Sequence, residues 1–96
     1  MVVGVVKVSL HIPETRSLKG KRQVVKRLIQ RVNGRFKNLA VSEVADQDLW
    51  QKAVIGISAV GPDSRFINSL LDKVLDYIEE FDDLEVIQAE IDIINM

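Results

Sequence analysis

Val2-Val3-Gly4-Val5-Val6-Lys7-Val8-Ser9-Leu10-His11-Ile12 begins the chain with period-two patterning. The segment Ser17-Leu18-Lys19-Gly20-Lys21-Arg22-Gln23-Val24-Val25-Lys26-Arg27-Leu28-Ile29 then changes period. In the first stretch Val6, Val8, Leu10 and Ile12 share one face, and Lys7, Ser9 and His11 share the other. That alternation, with its β-branched residues, predicts a strand over 2–12. Pro13 ends it. In the second stretch Ser17 suits an N-cap. Leu18, Val25, Leu28, Ile29, Val32 and Phe36 fall on one stripe at a helical period. The helix is expected to run to about Asn33-Gly34 or slightly beyond.

Working outward, Leu39–Val44 reads as a second strand and Ala45–Gln51 as a polar loop. Ala53, Ile55, Ile57 and Ala59 mark a third strand, broken by Gly61-Pro62. A second helix starts near Asp63-Ser64, with Phe66, Ile67, Leu70, Leu71, Val74, Leu75, Ile78 and Phe81 on its apolar side. Asp72, Asp76, Glu79, Glu80 and Asp83 oppose them. A final strand over 85–94 alternates Ile87, Ala89, Ile91 and Ile93 with Gln88, Glu90 and Asp92. The order is βαββαβ, the split-βαβ pattern of the ferredoxin-like α+β fold. Two helices are expected on one face of a four-stranded antiparallel sheet, as a single domain over residues 1–96. With only 96 residues there is room for one modest core.

The chain contains no cysteine, which excludes disulfides, thiol catalysis and cysteine-based metal sites. It begins without a basic leader, and no apolar run approaches the ~20 residues of a bilayer span. A cytoplasmic protein that makes no membrane contact is expected.

Charge is the most uneven feature. Between Arg16 and Lys37 stand nine basic residues and no acid, although the whole chain has net charge −1. Arg16, Lys19, Lys21, Arg22 and Lys26 are the candidate anion- or RNA-binding residues. Lys19, Lys21 and Arg22 fall in the first turns of the helix, where its dipole is already positive. Cations there are mildly unfavourable unless an anion joins them. A competing use is neutralisation of the acidic second helix, whose exposed pairs contribute about 0–1 kcal/mol each.

The open face of the sheet is expected to offer Val3, Val5, Val54 and Val60 beside its polar residues, apolar enough for pairing in a homodimer. Trp50 either anchors such a contact or caps the monomer's own core. Val3, Val5, Trp50 and Val54 are therefore the interface candidates. The strands expected to be central contain no aromatic residue, unlike the base-stacking sheet of an RNA-recognition motif. His11, near Glu14 and Arg16, and the carboxylates Glu43, Asp46 and Asp48 are too sparse to build an active site or metal site. No enzyme activity, metal or cofactor is expected.

Ser17-Leu18-Lys19-Gly20-Lys21-Arg22, Val41-Ser42-Glu43-Val44 and Gln47-Asp48-Leu49-Trp50-Gln51 together resemble the YlxP-like small bacterial proteins, a domain-of-unknown-function family. The resemblance covers nearly the whole chain and implies a ferredoxin-like fold. It also implies a gene setting among transcription termination, translation initiation and ribosome maturation. It supplies no catalytic residues. Leu39-Ala40 departs from the small polar residue and valine usual in the family after the asparagine at this point. The combined expectation is a non-enzymatic protein that binds RNA or a ribosomal particle through its first helix. A homo-oligomeric interaction domain is the alternative.

Overall fold

A computed structural model describes all of residues 1–96. The elements are β1 (Val2–His11), α1 (Leu18–Arg35), β2 (Leu39–Ala45), β3 (Lys52–Gly61), α2 (Ser64–Glu79) and β4 (Glu85–Asn95). The four strands form one antiparallel sheet in the order β2-β3-β1-β4. This is the ferredoxin-like arrangement read from the sequence. α1 packs over the β2 side of the sheet, and α2 over β1, β3 and β4. No helix is long and apolar enough to cross a membrane.

The core lies between the helices and one sheet face. Val6, Val8, Leu10, Ile55 and Ile57 meet Val25, Leu28 and Val32 of α1 and Ile67, Leu71, Val74 and Ile78 of α2. Both helices have side-chain caps. Ser17 Oγ accepts from Gly20 N at 3.0 Å, and Asp63 Oδ1 accepts from Phe66 N at 2.8 Å. Each cap satisfies an N–H that the helix cannot pair internally, a contribution of about 1 kcal/mol.

α1 ends at Arg35, just beyond Asn33-Gly34 as the sequence reading expects, and Asn38 supplies the left-handed turn into β2 with φ 64°. Two differences from that reading have local causes. Phe36 leaves the helical stripe as the C-cap and packs edge-on against Tyr77, with ring centroids 5.7 Å apart. In β4 the expected apolar face is largely uncovered, with Ile87 58% exposed. Its register against β1 shifts between Ser9 and Leu10, leaving Ile87 without a cross-strand partner.

At Gly4 α2 lies close upon β1. A Cβ there would lie 2.4 Å from Ile67 Cγ2 and 2.8 Å from Leu71 Cδ1. Only glycine lets the second helix settle on β1 at this distance.

Candidate nucleic-acid interface

The basic residues of α1 divide into three groups according to where the helix turns them. The first contains Lys21 alone. It shares the core stripe with Val25, Leu28 and Val32, and its side chain is fully buried. Its ammonium donates to Glu43 Oε2 at 2.5 Å, to the Asp46 carbonyl at 2.9 Å and to the Gln47 carbonyl at 3.2 Å. All three ammonium protons are thereby used. Lys21 therefore leaves the set of candidate anion-binding residues. The negative partner expected for the N-terminal cluster is, at this position, the chain's own Glu43.

A signal for that pair lies in the sequence. Lys21 stands four residues before Val25 on an apolar stripe, and Glu43 alternates with Leu39 and Val41 on the inward face of β2. Two opposite charges on inward positions of facing elements indicate a buried ion pair.

The second group is Arg27, Arg31 and Arg35, a row at four-residue spacing that faces α2. Arg27 is ion-paired with Asp83. The guanidinium of Arg31 lies 5.6 Å from the centre of the Phe81 ring, and that of Arg35 lies 5.5 Å from the centre of the Tyr77 ring. Of this row only Arg27 is neutralised by a carboxylate, that of Asp83 just beyond α2, while Arg31 and Arg35 are taken up by aromatic rings.

The third group comprises Lys19, Arg22 and Lys26, with Arg16 just before the helix. The three helical residues lie at spacings of three and four on the flank turned away from α2. All four are exposed, and none comes within ion-pair distance of a carboxylate. This flank is the largest group of unpartnered cations on the molecule.

At the foot of α1 two loops are laced together. The Thr15 hydroxyl lies within hydrogen-bond reach of the carbonyls of Ile12 and Trp50, at 2.9 and 2.7 Å. Ile12 N donates to the Gln51 carbonyl at 2.8 Å. Gln51 Nε2 reaches the carbonyls of Pro13 and Thr15. Trp50 does not cap the core: its side of the loop is open, and the residue is 56% exposed.

The open sheet face carries the other candidates. Val3 pairs across β1 with Val60 and Ile94, forming an apolar row. Val3 and Val5 are half-buried. Val54 is only 9% exposed, closed in between Ser9 on β1 and Ala45 on β2. It offers a partner much less surface than its alternation suggested. Val44, not singled out from the sequence, rises instead over Gly56, where a Cβ would lie 2.9 Å from Val44 Cγ1. A register shift between Glu43 and Ala45 turns it there. His11 Nδ1 lies 3.7 Å from Glu85 Oε2 on the neighbouring strand. No three His, Asp or Glu side chains gather where they could hold a metal ion.

A family model described as a protein of unknown function, DUF503, matches residues 3–91. The chain is 36% identical over 84 residues to the uncharacterized protein YlxP of Bacillus subtilis (strain 168), covering 88% of this chain and 90% of that one. In structure it is similar to the de novo designed protein Foldit4, with a TM-score of 0.56 at 17% identity. That match covers 100% of this chain and 99% of the designed one. The likeness concerns the fold alone.

Proposed function

The chain belongs to the DUF503 family, and from that premise we propose that it is a non-enzymatic, cytoplasmic protein that binds the phosphate backbone of RNA, free or in a ribosomal particle. The contact runs along Arg16, Lys19, Arg22 and Lys26. One observation carries the reading. The α1 arginines facing α2 are taken up by Asp83, Phe81 and Tyr77, whereas this flank has no internal partner. A row of exposed cations gains binding energy by releasing the counterions of a polyanion. The gene setting implied by the YlxP-like resemblance points to the same class of partner. Contacts of this kind position a backbone and read no sequence.

Binding of a labelled structured RNA across a salt series tests it. Affinity is expected to fall steeply between about 50 and 200 mM salt. K19Q/R22Q/K26Q should reduce the slope of log affinity against log salt by about two to three, near one per lost contact. Absence of binding at low salt, or affinity indifferent to salt, rejects the proposal.

A second reading rests on the apolar row Val60–Val3–Ile94 and on Val44: self-association through the open sheet face. Sedimentation at rising protein concentration decides it, since a persistent monomer removes this reading.

A further inference from the structure

We infer that Trp50 is a stacking platform for an unpaired RNA base at the foot of the cationic flank. The inference rests on the RNA reading above and narrows its ligand to single-stranded or looped segments.

Trp50 is the chain's only tryptophan, and it is held outside the core on a fixed backbone. Its carbonyl lies 2.7 Å from Thr15 Oγ1, and the next residue is bonded to Ile12, Pro13 and Thr15. The other end of the same loop is gripped by Lys21 through the carbonyls of Asp46 and Gln47. Loop 46–51 is therefore tied to the foot of α1 at both ends. Arg16 directly follows Thr15, and Lys19 lies in the first turn above it.

The charges at this corner differ from those farther up the helix. Arg16, Lys19 and Lys52 are offset by Glu14, Asp46 and Asp48 on the same two loops and the adjoining strand and helix ends. Net attraction for phosphate is strongest at Arg22 and Lys26, one and two turns up the flank, with Arg16 and Lys19 still free to contact the RNA strand. A near-neutral corner with an exposed indole beside a basic row suits a single strand. The backbone follows the cations while a base stacks on the ring. A duplex, with its bases already stacked on one another, gains nothing from the indole.

No other element supplies this function. The central strands β1 and β3 have no aromatic side chain. Phe36, Tyr77 and Phe81 pack on one another between the helices. Phe66 is exposed on α2, but the antiparallel pairing of His11 with Lys52 and of Val2 with Gly61 puts it at the opposite end of the sheet.

A labelled single-stranded RNA of about 12 nucleotides, within the range one small fold occupies, is compared with its blunt duplex. Binding is followed by anisotropy and by Trp50 emission. The single strand is expected to quench Trp50, and the duplex to bind through the flank with emission unchanged. W50A should weaken single-strand binding on the order of 10- to 100-fold, the loss of one stacked base. Its duplex affinity and salt slope should stay as in the wild type. W50F should retain part of the affinity. If W50A does not fold, wild-type emission and W50F carry the test. Salt-dependent binding with unmoved emission and unaltered W50A affinity overturns the stacking role and leaves the flank reading intact. Loss of self-association in W50A, with RNA affinity unchanged, assigns Trp50 to a protein contact and also overturns it. Absence of any RNA binding removes both readings.

Discussion

Lys21 sits where three side chains of one helical stripe point into the core, and it follows them inward. An unpaired ammonium there would be prohibitive, but Glu43 and two carbonyls meet it. Replacing one partner leaves the other buried without its charge, a loss typically of roughly 3–5 kcal/mol. K21M is therefore expected to lower stability by about 3 kcal/mol or more, and to loosen loop 46–51 as its carbonyls lose their donor. K21M/E43L removes both charges and should recover a substantial share, since buried pairs are often replaceable by apolar groups. Urea unfolding measures both variants. A single variant within about 0.5 kcal/mol of wild type contradicts the structural role, because changes of that size are typical of surface sites. The same burial means that replacing Lys19, Lys21 and Arg22 together mixes loss of binding with loss of fold. The informative substitution set leaves Lys21 in place.

At the scale of the element, α1 carries two basic rows, and its stability and its binding belong to different rows. R27Q/R31Q/R35Q is expected to cost about 1 kcal/mol or slightly more. It loses one partly exposed ion pair and two ring contacts, each a modest term at such exposure. Its salt slope for RNA should remain close to wild type. A fall as large as that of K19Q/R22Q/K26Q would show that both rows reach the ligand and would dismiss the division. The dense basic face of α1 was legible in the sequence, as was the βαββαβ order, but its division into two rows was not. Which row meets α2 was not legible from periodicity alone, because it depends on how the connection from β1 to β2 carries α1 over the sheet. Nor was the turning of Val44 onto the open face, since the register shift that causes it depends on pairing with β3. Trp50 was visible as a lone aromatic. Its exposure follows from the lacing of Thr15 and Gln51 across two loops distant in sequence.

The whole molecule is longer than its helices can cover. Strands of 10 and 11 residues span about 33–36 Å, whereas the 16 residues of α2 span about 24 Å. The molecule accordingly measures 42 × 21 × 18 Å. On the open face, Val60, Val3 and Ile94 form a continuous row across three strands, with Met1 and Met96 exposed beside it. The next rows turn polar, with Asp92 opposite Val5 and Lys7 ion-paired to Glu90. A second copy is the occupant to expect, because facing sheets about 10 Å apart would bury the apolar rows together. Val60 is the residue to alter. It is 57% exposed, so V60K should leave the monomer's unfolding midpoint nearly unchanged. In a face-to-face pair it would force an ammonium into the apolar row and drive sedimentation to the monomer. α1 lies on the other side of the sheet, so V60K should leave single-strand RNA affinity and salt slope intact. Wild type that remains monomeric at high concentration, or V60K that associates as wild type does, removes the open face as the pairing surface.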